Sequence, residues 1–515
     1  VHRVPEESLV YHVNRNDLSH WFRARGETTL ASVLRPVTLA DFPSVDELRD
    51  YLVNAIAITR REKYRGAIAD FRPPEFDPGY PFLVVGHGSL GGKGRGLAFM
   101  FRQLSQWSKE DGIQGVRTRL PHTLIIGADE SDAFLKGNAL EVTSFDRFSD
   151  EDILRDFAAG ELGSHLRECL RHYVTRMNAP LAVRSSGLME DSHSQPLAGL
   201  YATYMLPNNH PDIEVRVRHL ETAVKLVYAS AYLERPRRYL EAIGQDLGEA
   251  RMAVIIQEVV GRQHGRYFYP AFSGVAQSHK YYPVFQMKPE DGVATIALGL
   301  GKQVVEGGDA VRFCPRYPQV LPQFRSPHEV LKVSQREFFA LDLERSEADL
   351  LAGTDATLAR LDLAQAEADG ILGLVGSVVD TEEDRVYDGT GRHGVRVVTF
   401  ARIFKHKVFP LCAILNELLE SCRRDLGFAV EIEFAVDLDP SPEGKAEFYL
   451  LQMRPLVALR ERCDITAEAI APDKLLCRST RVMGNGRIEG LRDIVYIDSA
   501  RFDRGRSAEV ASVIA

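Results

Sequence analysis

The sequence predicts an α+β protein of about three units, and three observations predict it. A chain of 515 residues, at roughly 100–200 residues per domain, calls for that many. With 45% apolar and 26% charged residues, it can bury several cores. Helix and strand patterns are mixed along it, without the regular alternation that builds a parallel sheet. No repeat period or low-complexity tract is visible.

Residues 1–78 read as a helical extension. Ser44-Val45-Asp46-Glu47 is a capping box, which opens an amphipathic stretch through Ile68. Pro73-Pro74 and Asp77-Pro78-Gly79 close it. In residues 79–250, a strand (82–85) feeds a Gly-rich loop (86–96) and a helix to about residue 110. A second strand (123–126), a helical stretch (149–177), a short buried strand (181–183) and a long helical stretch (211–243) follow. Residues 251–460 turn to β, with strands expected at 252–260, 268–276, 293–298, 395–404, 430–436 and 447–452. A charged, Ala/Leu-rich stretch at about 327–390 reads as a helical insertion. Residues 461–515 read as the start of another domain. With no initiator Met, the chain reads as a piece of a longer protein.

The net charge of -9 gives no basic field for nucleic acid or anionic lipid, so a phosphate ligand would need local positive charge. Cys169, Cys314, Cys412, Cys422, Cys463 and Cys477 form no C-x-x-C pair. They suggest neither a disulfide framework nor a zinc site, and a reduced cytoplasm is expected. Apolar runs such as Ile371 to Val379 fall short of the roughly 20 residues that span a membrane. Val1-His2-Arg3-Val4-Pro5 is not a signal peptide.

Gly86-His87-Gly88-Ser89-Leu90-Gly91-Gly92-Lys93-Gly94 lies between a strand and a helix. Glycines there let backbone amides approach a phosphate, and Lys93 adds a charge. His87 and Gly94 break the Walker A pattern. Gly86-x-Gly88-x-x-Gly91 fits a dinucleotide fingerprint, but its acidic partner at the end of the next strand is not found. The loop equally suits a tight turn with a solvated Lys. Ala182-Val183-Arg184-Ser185-Ser186-Gly187 sends an Arg from an apolar strand into a Ser/Gly loop. That arrangement suits a bidentate phosphate clamp or a buried pair with Glu190 or Asp191. Glu431-Ile432-Glu433 puts two carboxylates on one strand face, and Gln452-Met453-Arg454 does the same for an amide and a guanidinium. A hairpin symmetric about residues 442 and 443 sets Glu433 opposite Gln452 and Glu431 opposite Arg454. Adjacent carboxylates need a cation, and Mg²⁺ takes such hard oxygens. Cross-strand ion pairs on a solvated face are the alternative. Met252 to Gln257 could wall an adenine pocket or be plain core.

In this order, Gly91-Gly92-Lys93, Ala182 to Ser186, Gly199 with Thr203, Met252 to Gln257, Ser273-Gly274-Val275, Gly299-Leu300-Gly301, Glu431-Ile432-Glu433 and Leu450 to Pro455 resemble the nucleotide-binding domain of phosphoenolpyruvate synthase and pyruvate phosphate dikinase. The likeness covers about 80–460. It implies an ATP-grasp fold with lobes at 79–250 and 251–460, binding ATP and Mg²⁺. It assigns the phosphates to Lys93, Arg184 and Arg454, the phosphate loop to Gly199 and Thr203, the adenine to Gln257, and Mg²⁺ to Glu433 and Gln452. Glu431 stands where the family usually has Asp, and Lys302 where it usually has Glu, so Lys302 is given no role. The implied chemistry passes a phosphoryl group from ATP to a carrier His, then to pyruvate, with AMP and phosphate released. No Ser-His pair here is followed by Ala as in the carrier signature, so the carrier and pyruvate-binding domains are expected on the longer protein. A non-catalytic ATP sensor, or a dikinase acting on a glucan or rifampicin, is the alternative. A dinucleotide oxidoreductase rests on the Gly86 loop alone.

Overall fold

α1 (Glu6–Asn14), α2 (Asp17–Ala24), α3 (Thr28–Leu34) and α4 (Val45–Lys63) open the chain. Leu9 and Val13, Leu30 and Leu34, and Leu48 and Leu52 recur at i,i+4 and bury one shared core. The Ser44 hydroxyl accepts the Glu47 amide at 3.2 Å, which caps α4 where expected. The computed structural model describes residues 4–63, 67–73, 76, 80–107, 113–140, 145, 147–188, 190, 199–242, 251–281, 283–438 and 446–456, with 474–476, 492, 506 and 509–510. Two compact units divide the chain, Val1–Leu456 and Val457–Ala515. In the second, Arg506 pairs with Glu509 at 2.7 Å; most of the tail read as a further domain lies outside the described residues.

β1 (Ala69–Asp70), β2 (Phe82–Val85), α5 (Gly91–Trp107), β3 (Arg117–Arg119), β4 (Thr123–Ile126) and α6 (Ala128–Gly137) come next. α7 (Asp150–Ala159), α8 (Ser164–Arg176), β5 (Leu181–Gly187), β6 (Thr203–Leu206), α9 (Ile213–Ala229), α10 (Glu234–Ala242) and β7 (Met252–Glu258) follow. One sheet takes the order β1-β2-β4-β7-β5-β6. β1, β2 and β4 run parallel, whereas β7, β5 and β6 join antiparallel. That mixture is not the doubly wound parallel sheet of a dinucleotide fold. β1 belongs to this sheet, so the last residues of the N-terminal extension form its edge.

β8 (Arg262–His264), β9 (Tyr267–Tyr269), β10 (Phe272–Gln277), β11 (Val293–Ala297), α11 (Lys302–Val305), β12 (Val311–Phe313), α12 (Pro327–Val333), β13 (Glu337–Asp342) and β14 (Leu358–Asp362) continue the chain. α13 (Leu363–Ala368), α14 (Leu372–Val375), β15 (Gly376–Asp380), β16 (Arg385–Asp388), β17 (Val395–Val398), α15 (Ala401–Phe404), α16 (Leu411–Leu426), β18 (Val430–Asp437) and β19 (Glu447–Pro455) complete it. A second sheet runs β12-β11-β10-β18-β19-β3.

The stretch at 327–390 is corrected: it holds four strands between three short helices. β13 buries Phe338, Ala340 and Leu341 completely and pairs along Glu337 to Leu341 with β14, and at Leu341 and Asp342 with β9. The Ala/Leu content of the stretch favours a helix, but strand pairing and burial override that propensity. The strand expected over 395–404 stops at Val398, because Phe400 turns left-handed (φ 56°) and α15 begins. The run expected over 268–276 is two strands, broken at Pro270, which has no amide to donate.

α5 is the splint between the two sheets. Leu97, Met100 and Leu104 enter one core with Ile125 and Ile255 of the first sheet and Ile432, Phe434 and Met453 of the second. A Cβ on Gly96 would lie 2.4 Å from the Met453 carbonyl, so only glycine lets α5 approach β19 so closely.

Candidate functional site

The two sheets bring their charged residues together at the start of α5. On β5, Arg184 emerges between buried Val183 and Ser185. On β18, Glu431 and Glu433 alternate with core residues Val430, Ile432 and Phe434. β18 and β19 pair as the sequence predicts, Glu433 opposite Gln452 and Glu431 opposite Arg454. Past them the register slips by one between Glu433 and Phe434, leaving Leu451 as the extra residue of a bulge next to Gln452. The turn at 439–445 lies outside the described residues.

Arg184 crosses between the sheets. Its Nη2 donates to Glu433 Oε2 at 2.8 Å and to Gln452 Oε1 at 2.9 Å. Among the described residues no hydrogen bond engages its Nε or Nη1, so the guanidinium keeps donors for a further anion. Glu433 keeps 19% of its side-chain surface. Burial opposes its charge, yet Arg184, helped by Lys93 and Arg454, holds its pKa below the ordinary 4.5. A depressed folded-state pKa stabilises above the unfolded value and is lost as the pH falls through the folded one. Glu433→Gln should therefore be less stable than the parent at neutral pH, with the gap narrowing in acid. Urea denaturation between about pH 7 and pH 3 checks this.

Lys93 Nζ lies 2.5 Å from Glu190 Oε1 and 3.3 Å from the Ser185 hydroxyl. Glu190 is only 1% exposed and also accepts the Gly187 amide at 2.9 Å and the Ser185 hydroxyl at 3.1 Å. Arg454 Nε donates to Glu431 Oε1 at 2.6 Å, and Gln277 Nε2 donates to Glu431 Oε2 at 2.6 Å. Each of the three cations thus faces one carboxylate among the described residues. The sequence offers Glu190 as a partner of Arg184, whereas the structure gives it to Lys93. Gln277 was missed because nothing local shows that β10 lies beside β18.

Thr203 lies opposite Arg184 across the β5–β6 pair, and Gly199 (φ 74°) precedes that strand. Residues 191–198 lie outside the described residues. Gln257 lies on β7, opposite Ala182 of β5 and so on the strand face that carries Arg184. There it is buried, with its amide donating to Thr123 Oγ1 at 3.1 Å. Lys302 pairs instead with Glu306 and Asp355.

Four amides of the loop, those of His87, Gly88, Gly91 and Gly94, are engaged by side chains of the chain itself. The amides of His87 and Gly88 donate to the Asp129 carboxylate at 2.9 and 2.8 Å. A Cβ on Gly91 (φ 72°) would fall 1.8 Å from the Ser186 carbonyl oxygen, and the Gly94 amide donates to Ser186 Oγ at 2.9 Å. Asp129 is thus an acid just past the second strand, where none was expected, but it binds the loop's own backbone.

Glu433 and Gln452 offer two hard oxygens that already converge on one positive nitrogen. That donor set suits Mg²⁺. No cluster of three or more His, Cys, Asp or Glu among the described residues forms a separate metal cage. No helix of the described residues is long and apolar enough to cross a membrane.

Residues 87–473 match the family model of the pyruvate phosphate dikinase AMP/ATP-binding domain. No curated protein sequence matches the chain.

Proposed function

Because the chain belongs to the family of the pyruvate phosphate dikinase AMP/ATP-binding domain, matched over residues 87–473, we propose that it binds ATP with Mg²⁺ and starts phosphoryl transfer to a carrier histidine. The observation that carries this reading is the Arg184 guanidinium, which joins the Glu433–Gln452 pair of one sheet to the strand of the other and keeps Nε and Nη1 for a phosphate. Lys93 and Arg454 bring two further cations, each paired with a carboxylate. In this reading the two lobes of an ATP-grasp fold are built on the two sheets, so that β7 goes with the first lobe, β3 with the second, and α1 to α4 form a helical attachment.

Glu433 and Gln452 would hold the metal, which when bound neutralises phosphate charge. Lys93, Arg184 and Arg454 bind and orient the phosphates, and Gly199 and Thr203 border them. Gln257 lies on the strand face that would meet the base. Glu431, fixed by Arg454 and Gln277, positions Arg454. Such transfer relies mostly on positioning and charge stabilisation. One phosphoryl group goes to the carrier imidazole, the other to water as phosphate, and AMP leaves. Phosphoenolpyruvate would form when the carrier passes its group to pyruvate; a glucan or rifampicin acceptor would use the same first step.

The test supplies a separately produced phosphohistidine carrier domain with ATP and Mg²⁺, and follows nucleotides by chromatography. AMP, phosphate and phosphorylated carrier are expected. ADP as the sole nucleotide product would mean an ordinary kinase, and tight ATP binding with no turnover would mean a sensor.

A further inference from the structure

We propose that Glu190 makes this site selective for metal-bound over metal-free nucleotide, by neutralising Lys93 until a ligand brings its own cation. The proposal rests on the nucleotide reading above and adds a specificity-determining residue to it.

Glu190 is placed for this by three contacts. Its carboxylate is 1% exposed and lies 2.5 Å from Lys93 Nζ, whose side chain keeps 12% of its surface. The Gly187 amide at 2.9 Å and the Ser185 hydroxyl at 3.1 Å fix both of its oxygens. Ser185 also accepts from Lys93, so the ammonium is held at the base of β5, one residue from Arg184. A buried carboxylate held in this way cannot swing away when a ligand arrives.

The charge balance follows from these pairs. Lys93, Arg184 and Arg454 face Glu190, Glu433 and Glu431, so among the described residues the site carries no net charge. A bare triphosphate meets three carboxylates in a partly buried space where like charges repel strongly. A metal-bound one lets Glu433 and Gln452 turn to the metal, which frees Arg184. Lys93 has no such exchange, because Glu190 is bound to backbone and cannot follow. Glu190 therefore weakens the attraction of Lys93 for any phosphate, most for the most highly charged form.

Titration calorimetry of the full chain with ATP, in excess Mg²⁺ and in excess chelator, tests this. The parent is expected to bind far more weakly in chelator. Glu190→Gln removes the charge and keeps one acceptor oxygen for the Gly187 amide, while its NH2 can donate to the Ser185 hydroxyl. It should raise metal-free affinity by about tenfold, the effect of one close charge pair. Its affinity in Mg²⁺ should change much less. Glu190→Asp should keep the parental ratio. Glu190→Gln that weakens both states equally, or leaves metal-free affinity unchanged, overturns the proposal and makes Glu190 a scaffold residue. Should Glu190→Gln fail to fold, Lys93→Met with Glu190→Gln replaces the pair by neutral groups, a swap that buried pairs often tolerate. Metal-free affinity of that double variant should stay near the parent's, whereas Lys93→Met alone should fall below both; equal losses in the two would also overturn the proposal. A parent that binds no ATP even with Mg²⁺ sinks the nucleotide reading itself, a result separate from these.

Discussion

Arg184→Ala is expected to lose ATP·Mg binding by at least about a hundredfold and to lower stability by about 3 kcal/mol. The two losses have different origins. Removing the guanidinium leaves the Glu433 carboxylate and the Gln452 carbonyl without their shared donor, in a place where Glu433 is 19% exposed. An uncompensated partly buried charge accounts for the stability loss. The binding loss comes from Nε and Nη1, which no described residue engages. Arg184→Lys separates the two effects. An ammonium can still reach both oxygens, because a single nitrogen, Nη2, makes both bonds in the parent. It cannot offer the remaining fork to a phosphate. Arg184→Lys should thus keep most of the stability in urea denaturation while calorimetry still shows a large loss of affinity. Parental affinity in Arg184→Lys would remove Arg184 from phosphate binding.

Gly91→Ala is expected to be among the most damaging glycine substitutions of the described residues, lowering stability by about 4 kcal/mol or more. The added Cβ would meet the Ser186 carbonyl oxygen at 1.8 Å, and the position has φ 72°, where a side chain is strained even in open space. The obstacle is backbone, so no rotamer change relieves it. α5 must then pull away from β5. Lys93 goes with it, and so does the contact of Gly96 with the Met453 carbonyl that ties α5 to the second sheet. Thermal melting should show an early transition or no folded protein, and any folded fraction should bind nucleotide poorly. Gly137→Ala, at the end of α6 with open space around it, is the control and should melt like the parent. A Gly91→Ala protein that melts normally would show that α5 can retreat at no cost.

The site was partly legible because hairpins are local. Period-2 alternation puts Glu431 and Glu433 on one face, and a symmetric turn sets them against Arg454 and Gln452. The pairing holds at the site and slips only past the bulge at Leu451, which no residue type announces. Lys93 and Arg184 were legible as charges next to apolar strands, but the loop expected at 184–187 is the second half of β5, Lys93 lies in the first turn of α5, and the partners of both were not legible. Glu190 was considered for the wrong cation, because a segment read alone offers Arg184 its nearest acid. Nothing local in the Gly-rich segment shows that Gly91 and Gly96 admit Ser186 and Met453 as close neighbours.

The sequence by itself determined the α+β class, the helical opening, the catalogue of charged residues and the register of the β18–β19 hairpin. These depend on periodicity, capping and turn symmetry, all of which act over a few residues. Only the tertiary structure decided that Arg184 reaches Glu433 and Gln452, that Lys93 belongs to Glu190, and that 327–390 holds four strands. Arg184 and Glu433 are 249 positions apart. What joins them is the packing of α5 between two sheets, and β13 is a strand flanked by β14 and β9. Burial and strand pairing are properties of the assembled core, and no short window of sequence contains them.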